Sequence, residues 1–223
     1  MKILVFDTET SGLPEYNASI NEKDKWPYIL QISYIMYDIS NNTEVICNDY
    51  INVDPSLVTI TPESYNIHKI SMDYLQENGR NIIPALKEFN KILNKCDVVV
   101  GHNIQFDKKM VLVECFRNKV LQYFTRFYHN RKVCKPEYCT MINTSKFCNI
   151  LKLNKTGKEY IKYPKLQELY SKLFTDAIIP ETLHDSLIDI LITLRCYIKY
   201  IYNLDIIEIN NNINNLFLKY NLI

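Results

Sequence analysis

Hydrophobic positions open the chain in a short unbroken run, Ile3-Leu4-Val5-Phe6, closed by Asp7. A run this brief predicts a strand over residues 3 to 7. Residues 28 to 38 alternate well enough for a second strand, and a third is expected near 44 to 53, completing a β-meander. The period then changes: Ile82, Ile83, Leu86, Phe89, Ile92 and Leu93 fall on one helical stripe. Val98-Val99-Val100 reads as a buried strand, Gly101-His102-Asn103 as a turn, and about 105 to 117 as the next helix. Pro164 suits the first turn of a helix carrying Leu166, Leu169 and Leu173, while Pro180 and Thr182 precede a last long helix reaching about residue 202. Three strands followed by alternating helix and strand predict an α/β fold, a mixed sheet flanked by helices in one domain over residues 1 to 202. Residues 203 to 223 are expected as an Asn-rich tail, either a weak helix through Ile206, Ile209, Ile213 and Leu216 or a frayed end.

Composition refines this picture. With 223 residues, 47% of them hydrophobic, the chain can bury a full core at the upper end of single-domain size. Its opening apolar run is too short for a signal peptide, and no stretch approaches the roughly 18 apolar residues of a membrane span, so a soluble intracellular (cytoplasmic) protein is expected, with no membrane association. Seven scattered cysteines suit reduced thiols rather than a disulfide framework. Cys134, Cys139 and Cys148 lie close in sequence, but without Cys-x-x-Cys spacing or an evident fourth ligand, and zinc is not expected. The net charge of +1 conceals an asymmetry: between residues 117 and 165 twelve Lys and Arg face only Glu137 and Glu159. This basic insertion, about 118 to 163, suits either a phosphate-gripping surface beside an acidic pocket or a solvated lysine-rich loop. Within it Tyr123, Phe124, Phe127 and Tyr128 interleave with arginines, a mixture that fits base stacking and core packing equally well.

Three motifs carry the candidate chemistry. Asp7-Thr8-Glu9 closes the first strand, where positions i and i+2 point to one face, so two carboxylates are aimed at the same spot. Such a pair repels unless a cation sits between its members, although a solvated loop entry tolerates it too. In Gly101-His102-Asn103-Ile104-Gln105-Phe106-Asp107 a buried strand turns into a helix whose first turn presents Asp107, a position the helix dipole also favours. His184-Asp185-Ser186-Leu187-Ile188-Asp189 begins the last helix. Five helical residues turn through about 140°, so His184 and Asp189 cannot share a helix face; His184 is expected at or before the helix start and Asp189 a turn inside.

Together these motifs resemble the DEDD exonuclease superfamily, in the DEDDh branch whose third motif holds a histidine, and most of all the proofreading subunit of bacterial DNA polymerase III. The resemblance also covers Glu63 and Ile67-His68-Lys69-Ile70, with Lys69 where the family has glycine, and Pro164 to Tyr170 as the helix before the third motif. It implies a ribonuclease H-like fold and a 3′-5′ exonuclease releasing nucleoside 5′-monophosphates. It implies two Mg²⁺ or Mn²⁺ ions held by Asp7, Glu9, Asp107 and Asp189, with His184 as general base for the attacking water. Leu13 would wedge against the terminal base, and Thr8, Thr10, Glu63, His68, Asn103, Phe106 and His184 would touch the substrate. A DNA 3′ end is the leading substrate, with a polymerase or other replication protein as partner. An exoribonuclease of the oligoribonuclease or ribonuclease T type uses the same five residues. The reading from another class, a nucleic-acid-binding module that has lost its chemistry, has all five catalytic residues against it.

Overall fold

The computed structural model describes residues 1–129, 131–175 and 185–223, so Pro180, Thr182 and His184 lie outside the described residues. The meander consists of β1 (Lys2–Thr10), β2 (Ile29–Asp38) and β3 (Thr43–Tyr50). Two short helices follow, α1 (Pro62–His68) and α2 (Met72–Asn78), then α3 (Ile82–Lys95), β4 (Val98–Gly101) and α4 (Ile104–Arg117). The basic segment folds into a hairpin of β5 (Thr125–Tyr128) and β6 (Arg131–Cys134), strand β7 (Glu137–Cys139), helices α5 (Thr140–Asn143) and α6 (Ser145–Cys148), and a second hairpin of β8 (Leu151–Leu153) and β9 (Glu159–Ile161). Helices α7 (Leu166–Leu173), α8 (Ser186–Tyr202), α9 (Ile206–Ile209) and α10 (Asn211–Lys219) complete the described chain.

The main sheet has the order β3-β2-β1-β4-β7, with β1, β2 and β3 antiparallel and β4 and β7 parallel additions beside β1. Strand β7 is three residues in a basic stretch, and its partner β4 lies about forty positions earlier, so no local pattern announces it. The short helices α1 and α2 carry no long apolar stripe, yet their starts are locally coded: the hydroxyls of Thr61 and Ser71 accept from the N–H groups of Ser64 and Tyr74, and Pro62 occupies the first turn of α1. Helix α1 ends on Lys69 at φ 60°, a left-handed position that glycine fills without strain. Pro164 does not enter the helix after it: Lys165 caps α7, with its N–H donating to Glu168 at 2.7 Å.

Both faces of β1 are covered. Leu4 and Phe6 join Phe89 of α3, Met110 of α4 and Phe124 in one core, while Ile3 and Val5 meet Ile190, Leu191 and Leu194 of α8 in another. Phe124 is thus core, against Phe6 and Phe89, whereas Phe127 is exposed. The segment after residue 203, expected as a weak helix or a frayed end, is α9 and α10 with a break at Asn210, and Ile206, Ile213, Phe217 and Leu222 are buried in the α8 core.

Candidate active site

The alternation that sends Ile3 and Val5 toward α8 continues into Asp7 and Glu9, and the one that sends Leu4 and Phe6 toward α4 continues into Thr8. The two helices therefore approach the end of β1 from opposite faces, each with an acid. From α8, Asp189 joins Asp7 and Glu9: one carboxylate oxygen of each lies within 4.8 Å of the others, the single group of this kind among the described residues. From α4, buried Asp107 accepts from both the N–H (3.1 Å) and the hydroxyl (2.8 Å) of Thr8. A register shift between Glu9 and Thr10 ends the regular ladder directly after the acidic pair.

Electrostatics follow from this packing. Burial, together with Asp107, Asp189 and Glu9 as like-charged neighbours, pushes Asp7 well above the ordinary carboxyl range. Burial and the neighbours Asp189 and Asp107 raise Glu9 to about 9. Asp107 is raised to about 7 by burial, held there by the two Thr8 hydrogen bonds that favour its charged form. Convergent oxygen donors that cannot all ionise unaided fit a hard divalent cation, which would take the place of the protons the site otherwise retains.

A cavity of about 400 Å³ opens against Asp7 and Asp189, walled by His102, Met141, Tyr163, Lys165 and Gln167 among others. The sequence marks His102 only as part of a turn. In the structure its Nε2–H donates to the Pro164 carbonyl at 3.0 Å, leaving Nδ1 to accept from the Thr140 hydroxyl at 3.0 Å. Burial lowers its pKa to about 4, so the ring is neutral and clamps the β4–α4 turn to the start of α7. Sequence could not show this, because its two partners lie far along the chain.

The expected substrate-contacting residues fall into two groups. Thr8 gives both its N–H and its hydroxyl to Asp107 and so positions that carboxylate. Thr10 donates to the Gly12 carbonyl. His68 accepts from Ile70 N–H through Nδ1 at 2.9 Å and so presents Nε2–H to the Thr10 carbonyl at 3.2 Å, tying α1 to the end of β1. Leu13, 81% exposed, Glu63 in the first turn of α1 and Asn103 in a left-handed turn at the start of α4 are all open to solvent, and Phe106 packs partly into the core. His184 lies outside the described residues, one position before Asp185, whose side chain caps α8 by accepting from Leu187 N–H.

A family model described as an exonuclease (RNase_T) matches residues 4–197. No curated protein sequence matches the chain. Among solved structures, Escherichia coli exonuclease I in complex with a dA16 oligonucleotide is similar at 16% identity with a TM-score of 0.63, covering 89% of this chain and 41% of that one. A second exonuclease I structure, described as suggesting how processivity is achieved, gives 16% identity and a TM-score of 0.64 with the same coverage. The zinc-ion-bound form of an E. coli exonuclease I complex with single-stranded DNA gives 16% and 0.63, covering 91% of this chain and 41% of that one. The chain thus spans about two fifths of the length of these relatives, and at such identity the likeness establishes the ribonuclease H-like fold.

Proposed function

The chain belongs to the exonuclease family, and from that premise we propose that it is a 3′-5′ exonuclease hydrolysing DNA to nucleoside 5′-monophosphates with two Mg²⁺ or Mn²⁺ ions. The observation that carries this reading is the meeting of Asp7, Glu9 and Asp189 within 4.8 Å, with Asp107 delivered to the same strand end from the opposite face of the sheet. Asp7, Glu9 and Asp189 would hold one cation between them and Asp107 would help hold a second. When bound, such ions neutralise the phosphodiester and stabilise the charge that develops on its attacking and leaving oxygens. His184 would take a proton from the attacking water, a task that an imidazole of ordinary pKa performs near neutral pH. Thr8 orients Asp107 and favours its charged form through two hydrogen bonds. Leu13 would pack against the terminal base, and the cavity bounded by Tyr163, Lys165 and Gln167 would admit the nucleotides that precede it.

DNA is favoured because the solved relatives are bound to DNA oligonucleotides. The deciding experiment incubates the protein and Mn²⁺ or Mg²⁺ with 3′-labelled and 5′-labelled DNA and RNA of one sequence. Immediate release of labelled mononucleotide from the 3′-labelled DNA, with a descending ladder from the 5′-labelled strand, is expected. Release from the 5′ end would overturn the polarity, and preference for RNA would overturn the substrate.

A further inference from the structure

Among the described residues, the hairpin of β8 and β9 contributes no side chain to either core. All six of its strand residues are exposed, including Leu151 at 56% and Leu153 at 65%, although a free two-stranded hairpin is marginal in water and large apolar side chains gain nothing there. It is nevertheless rigidly turned. Asn154 Oδ1 accepts from the N–H (2.9 Å) and hydroxyl (2.7 Å) of Thr156 and from Lys158 N–H (2.9 Å), and Gly157 supplies the positive φ of 79°. No atom lies within 4 Å of where a Gly157 Cβ would be, so the tip stands in open solvent.

Register sorts its side chains. Leu151 opposes Ile161, Lys152 opposes Tyr160 and Leu153 opposes Glu159, and opposed residues share a face, so Leu151, Leu153 and Ile161 lie on one face with Glu159 at its tip end, while Lys152 and Tyr160 occupy the other. Lys155 and Lys158 flank the tip. Lys162 is different: it is held by both oxygens of Glu168 at 2.5 and 2.6 Å and is not available in the same way. Immediately after β9 the chain supplies Tyr163, Lys165 and Gln167 to the wall of the cavity that reaches Asp7 and Asp189. The hairpin is therefore continuous, through its own backbone, with the carboxylate site.

We propose that this hairpin is the track along which a single-stranded nucleic acid approaches the carboxylates, its bases against Leu151, Leu153 and Ile161 and its phosphates against Lys152, Lys155 and Lys158. The proposal rests on the nuclease reading above. Charge selects the occupant, since three lysines against Glu159 call for a polyanion. Strandedness follows from the apolar face, because only an unpaired strand offers its bases for such contacts.

The test measures binding of fluorescent dT12 and dT3, with Ca²⁺ as the cation, across a salt series. Wild type is compared with Lys152→Gln/Lys155→Gln/Lys158→Gln, with Leu151→Ser/Leu153→Ser, and with a charge-matched control, Lys87→Gln/Lys91→Gln/Lys95→Gln, on the exposed face of α3. The triple hairpin variant should weaken dT12 binding and flatten its log-log salt slope by up to about 0.7 per lost contact, about 2 in all. The leucine pair should weaken dT12 at every salt concentration with little change in slope, and dT3 should respond less than dT12 to either. Wild-type slopes in the triple variant, or equal flattening in the α3 control, would overturn the track and leave the hairpin to a protein partner. Hydrolysis of 3′-labelled dT12 by wild type with Mn²⁺, followed in parallel, reports separately on the function proposed above.

Discussion

Asp7 sits where burial and four other acids, Asp107, Asp189, Glu9 and Asp185, all oppose its ionisation, so its neutralisation should relieve the fold while removing a cation ligand. Asp7→Asn is expected to lose turnover by on the order of 10³-fold or more and to raise the melting temperature of cation-free protein by a few degrees. Unchanged turnover would remove Asp7 from the site, and a lowered melting temperature would mean that its carboxylate is stabilised by contacts other than a cation. His102 makes the opposite kind of prediction. Its pKa in the fold is about 4, below the ordinary 6.5, because burial disfavours the imidazolium. Between those values the unfolded chain binds the proton that the folded chain refuses, so its contribution to stability is intact above about 6.5 and is lost as pH falls toward 4, by up to about 3 kcal/mol. An NMR titration of the His102 ring should give a midpoint near 4; a midpoint near 6.5 would mean that the clamp between Thr140 and Pro164 does not hold in solution.

Helix α8 is the element on which the site depends most, and its start is fastened to the sheet by side chains rather than by backbone. Gln31, buried on β2 directly across from Glu9, donates to Asn48 at 2.8 Å and to Asp185 at 3.2 Å. Ser33 meets Ser186 at 2.6 Å, and Ser186 N–H donates to Gln31 at 3.4 Å. The network spans β2, β3 and the first turn of α8, so it sets where Asp189 stands relative to Asp7 and Glu9. Gln31→Ala should leave Asn48 and Asp185 short of a partner, costing about 1–3 kcal/mol of stability, and should lower kcat about tenfold or more with KM little changed, since α8 then loses a fixed register. The check is kcat and KM measured well below the melting temperature. Loss of stability with kcat intact would confine Gln31 to the core.

At the scale of the whole molecule, the tail closes the α8 side. Arg195 of α8 is buried and donates to both oxygens of Asp205 at 2.9 and 2.7 Å, also donates to the hydroxyl of Tyr170, and lies 4.1 Å over the ring of Phe174. Beyond this fork, Ile206, Ile213, Phe217 and Leu222 are fully buried. Each such side chain stabilises the fold by roughly 1.5–3 kcal/mol, and four of them rival the whole stability of a typical domain, about 5–15 kcal/mol. A chain stopped after Asn203 should therefore fail to fold, as seen by loss of a cooperative thermal transition. A soluble, cooperatively melting truncation would show that α9 and α10 are dispensable.

From the residues alone the meander, the stripe of α3, the strand–turn–helix around Gly101 and the long α8 were legible, because each is coded by periodicity within its own segment. So was the aim of Asp7 and Glu9, because strand alternation is a local property. What only the tertiary structure decided were the matters set between distant segments. Strand β7 exists because β4 offers it an edge, and the Asn-rich tail is ordered because α8 and Tyr170 leave an apolar surface for it to cover. Thr8 serves Asp107, and His102 joins Thr140 to Pro164, because two helices and a basic segment converge on one end of β1. A sequence lists donors and acids, but their partners are chosen by packing, since the apolar area buried on each face of the sheet fixes which helix comes near.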